Sequence, residues 1–143
     1  MRALELGSAG VVRARLNALV LAGEKRATTG LFDEYRLEME GLEYVGERLA
    51  VLDDSARPVA TVEITGVEVK QFCQVTWAHA EAEGEGDSSL EEWRDGHRRF
   101  WAHIGTPVEE DTLLVCLTFR VAEPVSVNTD AEGALTLRPA PDV

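Results

Sequence analysis

At 143 residues and 45% apolar content, the chain is the length of one domain and can close a core without disulfides or a structural metal. Its 26 Asp and Glu against 14 Lys and Arg give a formal net charge of -12, which repels a phosphate backbone at long range and argues against extensive nonspecific nucleic-acid binding. A local cluster drawn from Lys25, Arg26, Arg94, Arg98 and Arg99 still leaves room for a small ligand or one flipped nucleotide.

Cys73 and Cys116 sit far apart in segments that read as core-forming, so they are expected as buried free thiols of a reducing cytoplasm. There is no apolar run long enough to span a bilayer and no signal-peptide order at the N-terminus, and a soluble, cytoplasmic protein is expected. His79, His97 and His103 form no close pair with cysteine or with each other, so neither a metal nor a cofactor is proposed.

In chain order, residues 1–7 show no periodicity and read as a loosely docked end. Ser8 is placed to cap a first helix, in which Val12, Leu16, Leu19 and Val20 form one stripe while Arg13, Arg15 and Asn17 look outward. That helix should stop at Ala22-Gly23. The next stretch, Gly23 to Gly30, compresses a helix end, a basic pair and two adjacent hydroxyls into one turn of chain. Taken alone it reads as a solvated C-cap, with Lys25 and Arg26 answering the helix dipole; a glycine turn can equally point Lys25 and a threonine into a cavity. Phe32, Tyr35 and Met39 then predict a second short helix.

The middle of the chain changes period. The run 48–52, turn chemistry over 53–58, and alternation at Ala60, Val62 and Ile64 predict a hairpin, continued by Val67 and Val69 past a bulge at Gly66. The acidic stretch 79–87 reads as a helical turn dissolving into a loop, because Gly84 and Gly86 weaken a helix. Ser88-Ser89-Leu90-Glu91-Glu92 offers a capping box in two registers, opening a helix whose Leu90, Trp93, His97, Phe100, Trp101 and Ile104 lie on or near one face. Residues 113–121 alternate with apolar groups on both sides, the pattern of a central strand. Val125 to Val127 and Ala134 to Leu137 flank a polar turn, giving an appended hairpin over 123–143 with a frayed end. Helices precede and interrupt strands without a repeated strand-helix-strand unit, so the fold class expected is α+β with a small, curled or closed, mostly antiparallel barrel.

The run Leu21-Ala22-Gly23-Glu24-Lys25-Arg26-Ala27-Thr28, then Gly46-Glu47, then Pro58-Val59-Ala60, then Glu83-Gly84-Glu85-Gly86-Asp87-Ser88-Ser89-Leu90-Glu91-Glu92-Trp93-Arg94 with His97 and Phe100, resembles the ASCH domain family. The resemblance covers about residues 8–121, sets a domain over 1–122, and implies a PUA-like β-barrel flanked by helices. It also implies RNA-linked roles: binding of RNA, ribonuclease activity, or removal of the acyl group from N4-acetylcytidine by an amidohydrolase type. That type uses Gly-x-Lys-x-x-Thr and a later glutamate, which carries over to Lys25, Thr28 and Glu83, with Glu85 the alternative glutamate.

Amide hydrolysis needs an activated nucleophile, a stabilised oxyanion and a proton for the leaving amine. The expectation drawn here makes Lys25 the base toward Thr28 or a water and Glu83 the proton donor. Arg26, Thr29, Asp87, Trp93 and Arg94 are the expected ligand contacts, although Trp93, like Trp101, reads more readily as core than as a base-stacking platform; Arg94 reads equally as a phosphate contact or a salt-bridge partner. His97 reads more readily as a core or helix-packing residue than as a general base. Residues three apart in a straight strand face opposite ways, so Lys25 and Thr28 need a bend between them to share a pocket. The partners expected are a small nucleoside or a single-stranded RNA end, with no membrane. The competing reading is a binding module without catalysis, and a ribonuclease fits the net charge less well. The sequence carries no signal for oligomeric state.

Overall fold

The computed structural model describes residues 1–122 throughout and the backbone of Ser126–Thr129 and Leu135–Arg138. Its frame is a curled five-stranded sheet of β1 (Arg2–Leu4), β2 (Ala27–Leu31), β3 (Arg48–Leu52), β4 (Pro58–Gln71) and β5 (Leu113–Val121), in the spatial order β1-β3-β4-β5-β2. Neighbouring strands are antiparallel except β1 and β3, which are parallel. Four helices flank the sheet: α1 (Val11–Leu21), α2 (Phe32–Leu37), α3 (Trp77–Ala82) and α4 (Leu90–His103). The architecture is the α+β, PUA-like one that the residue pattern and the resemblance imply.

The period of two in β5 organises the core. Val115, Leu117 and Phe119 join Leu6, Leu16, Val20, Leu49, Val62 and Ile64 on one face, while Leu114 and Cys116 join Leu31, Phe72, Trp93 and Trp101 on the other. A central strand covered on both faces is what its two-sided apolar pattern predicts. Each such fully buried side chain contributes about 1.5–3 kcal/mol of hydrophobic stabilisation. β4 runs as one long strand whose register shifts between Ile64 and Gly66, at the bulge expected there. Ser89 caps α4, its side chain accepting from the Glu92 N–H at 3.1 Å.

Several local expectations are corrected. Residues 1–7 are not loose, since β1 pairs with β3 and Leu6 enters the core. A three-residue strand is too short to show a period. Gly10, not Ser8, is the N-cap of α1, and no side chain caps it. Asn17 is buried rather than outward, its Nδ2 donating to the Leu52 carbonyl at 3.1 Å. Val12 and Met39 are exposed, Met39 lying beyond the end of α2. Cys73 is exposed, and only Cys116 is a buried thiol, which burial pushes up to about 12. The acidic segment does run from a short helix, α3, with Glu83 as its C-cap, into a loop, as expected.

Beyond residue 122, β6 (Ser126–Thr129) and β7 (Leu135–Arg138) pair antiparallel as a separate two-stranded sheet. Of the polar turn expected over 128–133, Asn128 and Thr129 belong to β6 instead, and residues 130–133 and the end at 139–143 lie outside the described residues.

Candidate active site at the free edge of strand β2

The site begins with the turn that follows α1. Gly23 adopts φ 77°, left-handed backbone that glycine tolerates without strain. The N–H groups of Glu24 and Lys25 both donate to the Leu19 carbonyl, at 3.0 and 3.1 Å, and the Arg26 N–H donates to the Ala82 carbonyl at 2.7 Å. The chain is thus folded back onto the end of α3. Gly84, at φ 65°, lies so close to this turn that a Cβ there would overlap the Glu24 carbonyl. Lys25 is consequently turned inward and only 1% exposed, not the solvated cap that its segment alone suggests.

β2 starts two residues later and is an edge strand, bonded to β5 alone. Thr28 pairs with Leu117 and Thr29 with Cys116, so their side chains leave the strand on opposite faces. At a free edge the two faces meet, and both threonines line one cavity of about 220 Å³ with Lys25, Glu83, Glu85, His97 and Phe100. The bend needed for Lys25 and Thr28 to share a pocket lies between Lys25 and the start of the strand.

Inside the cavity the charges are tightly coupled. Lys25 Nζ donates to the Ala27 carbonyl and to Glu85 Oε2, both at 2.8 Å, and lies 3.9 Å from Glu83 Oε1. Glu83 is 2% exposed. Its Oε2 accepts from the Trp93 indole N–H and faces His97 Nε2 at 3.5 Å, while its Oε1 stands 3.5 Å from Thr29 Oγ1. Burial favours the neutral acid, but His97, the Lys25 charge and the Trp93 hydrogen bond outweigh it and hold the carboxyl below its ordinary range. His97 Nδ1 lies 2.8 Å from the Trp93 carbonyl, which can only accept, so that nitrogen carries a proton. Burial opposes the charged imidazole, yet Glu83 raises its pKa overall. His79 goes the other way, lowered mainly by burial, and its Nε2 sits 2.7 Å from Thr29 Oγ1.

Of the expected site residues, Lys25, Thr28, Thr29, Glu83 and Glu85 meet in this cavity. Both glutamates face Lys25, Glu83 from deeper and Glu85 at hydrogen-bond distance. Arg26 and Asp87 instead border a separate open groove with Gly23, Glu24, Glu81 and Gly84. Trp93 is wholly buried, stacked between Phe72 and His97, and presents no face to a ligand. Arg94 donates to the Cys73 and Val75 carbonyls and ties α4 to the turn before α3, which takes the place of the expected phosphate contact or salt bridge.

Three residues of the cluster were not singled out from sequence. His79 and Glu83 are four apart, and a helix over this segment puts both on one face. His97 follows Trp93 by four residues, so its place beside Glu83 follows once Trp93 is known to contact that carboxylate. Phe100, 38% exposed, is the accessible aromatic of the cavity. Among the described residues no group of three or more His, Cys, Asp or Glu is arranged to hold a metal ion, and no helix is long and apolar enough to cross a membrane.

A curled-sheet α+β domain of this topology defines a PUA-like protein. The sequence profile of the ASCH domain matches residues 3–123, and the chain belongs to the ASCH domain family. Among solved structures it is similar to protein EF3133 from Enterococcus faecalis V583, at 31% identity and TM-score 0.75, covering 85% of this chain and 76% of that one. It is also similar to the ASCH domain from Lactobacillus crispatus JV V101, at 34% identity and TM-score 0.73, covering 84% and 78%. A mutant of the ZmASCH protein from Zymomonas mobilis shares the fold at 10% identity and TM-score 0.51, over 79% of this chain and 68% of that one. No curated protein matches the chain.

Proposed function

We propose that the cavity receives the base of an N4-acylated cytidine, or a nucleoside of similar shape, and that the protein hydrolyses its exocyclic amide. The observation that carries this reading is the convergence of Lys25, Glu83 and Glu85 with two threonine hydroxyls on one small cavity. The resemblance to the amidohydrolase type supports it, through Gly23, Lys25 and Thr28 at the motif spacing and Glu83 further along. The polar groups also suit the ligand: carboxylates accept from the cytosine N4–H, and an N–H donor answers the ring acceptors. Phe100, 38% exposed on the cavity wall, is an aromatic on which a base can stack.

The roles differ from those assigned on sequence. Glu83 is held ionised by His97, Lys25 and Trp93, so it enters the reaction as an acceptor that orients its neighbours, not as the proton donor. Lys25 already donates to one carbonyl and one carboxylate, and what it presents to a substrate is an N–H for the acyl oxygen as negative charge develops there. His97, bonded through Nδ1 to the Trp93 carbonyl and facing Glu83 through Nε2, holds that carboxylate in place. Ribonuclease activity is disfavoured by the formal net charge of -12, and Arg94, the expected phosphate contact, spends Nη2 on two backbone carbonyls.

The test is chromatographic: the protein is incubated with N4-acetylcytidine and cytidine release is followed. The wild type is expected to turn over, and Lys25→Ala to fall by about 100-fold or more. Nucleoside or single-stranded RNA binding with no turnover by the wild type would make the domain a recognition module instead.

A further inference from the structure

Two hydroxyls line the cavity, and their surroundings differ. Thr28 Oγ1 makes no hydrogen bond among the described residues. Thr29 Oγ1, on the other face of β2, lies 2.7 Å from His79 Nε2 and 3.5 Å from Glu83 Oε1. The first distance is that of a well-made hydrogen bond, and the second is at the outer limit. A hydroxyl held against an imidazole nitrogen and open to a cavity is the arrangement that activates a weak nucleophile.

We infer that Thr29, with His79 as its proton acceptor, is the nucleophile of the site and takes up an acyl group as a covalent ester. The inference deepens the amidohydrolase reading and rests on it only for the natural acyl donor. His79 is fixed for this task by its helix: the Thr76 side chain caps α3 by accepting from the His79 N–H at 3.3 Å, and the ring packs edge-on to Trp93. Burial keeps the imidazole neutral, and the tautomer with its proton on Nδ1 leaves the Nε2 lone pair facing the hydroxyl. In the step, Thr29 Oγ bonds to the acyl carbon as its proton passes to His79 Nε2, and the carbonyl electron pair moves to the acyl oxygen opposite the Lys25 ammonium. Collapse of that oxyanion breaks the acyl C–N bond, and the leaving nitrogen takes the proton from His79. Water then attacks the ester, releasing the carboxylic acid and returning a proton to Thr29, so that the net reaction is amide plus water to acid plus amine.

The test uses an activated acyl donor that needs no nucleoside recognition. The protein is treated briefly with p-nitrophenyl acetate, and the acetylated residue is located by peptide mass spectrometry. Acetyl is expected on Thr29, kept in Thr29→Ser, absent in Thr29→Val, and formed about 100-fold more slowly in His79→Gln, which retains an acceptor for the hydroxyl but cannot take its proton. Exogenous imidazole should restore labelling in His79→Ala, a rescue that a merely structural histidine would not show. Acetyl on Thr28 or Lys25 without Thr29, or labelling of Thr29 at an unchanged rate in His79→Gln, overturns the inference. The two proposals fail separately: labelled Thr29 with inert N4-acetylcytidine sinks the nucleoside reading alone, and full cytidine release by Thr29→Val sinks the nucleophile alone.

Discussion

Two buried carboxylates, Glu43 and Glu83, invite comparison because each has a cationic partner and borders a recess. Glu43 accepts from the Tyr35 hydroxyl at 3.0 Å and faces Arg2 at 3.5 Å, and Arg2 also reaches Glu40 and the Gly41 carbonyl. That cluster fastens β1 to the chain after α2. Its phenol is pushed far up, first by burial and then by the Glu43 charge, so the hydroxyl keeps its proton near neutrality. Glu83 instead gathers an ammonium, a hydroxyl and an imidazole with a raised pKa around one cavity, with a second imidazole of lowered pKa on the same hydroxyl. Burying a charge is therefore not what marks a site; partners that can pass protons across an opening are.

The largest expected break in this comparison comes from Lys25→Met. It strands two carboxylates, one of them 2% exposed, and should cost about 3–5 kcal/mol in urea denaturation. Adding Glu83→Gln should recover part of the loss, because the uncompensated charge is then gone. Gly84→Ala comes next, at about 2–4 kcal/mol, since it adds a Cβ at φ 65° against the Glu24 carbonyl. Arg2→Met should cost less, about 1–2 kcal/mol, because the Arg2 side chain is 26% exposed and the Glu43 carboxylate it leaves keeps the Tyr35 hydroxyl.

The smallest effect is one of sign. Proton NMR titration should place His97 above and His79 below the unfolded value of 6.5. For His97 the folded pKa is raised, so its contribution to stability is full below 6.5 and is lost as pH rises through the folded value. For His79 the folded pKa is depressed, so its contribution is present above 6.5 and is lost as pH falls toward the folded value. His97→Gln should flatten the alkaline decline and His79→Gln the acid one. Identical titration of the two rings would remove the distinction between the roles given to them.

Much of the scaffold was legible because it rests on local periodicity. β5 shows its two faces by alternation, β4 its bulge at Gly66, and α4 its capping serine and apolar spacing. β1 was not, since three residues carry no period and its partner is β3, more than forty residues away. Asn17 looked outward for the same reason: its partner, the Leu52 carbonyl, is set by tertiary packing. At the site, the resemblance to the amidohydrolase type pointed to Lys25, Thr28 and one of two glutamates, and all four side chains line one cavity. Thr29 was expected only as a ligand contact, and its pairing with His79 joins residues fifty apart across β2 and α3. Spacing within a segment says nothing of such a contact. Trp93 is core, the commoner reading of an aromatic on a helix face, and not the ligand contact also expected of it, because such a position does not reveal which of its sides is covered.

The claim that Glu83's cluster is a catalytic site and Glu43's a structural one is tested most directly by cytidine release from N4-acetylcytidine, measured side by side for the wild type, Lys25→Ala and Arg2→Ala, each shown to be folded by circular dichroism. Release by the wild type and Arg2→Ala, with Lys25→Ala down by about 100-fold or more, is the expected result. No release by the wild type, or release by Lys25→Ala at the wild-type rate, would contradict it.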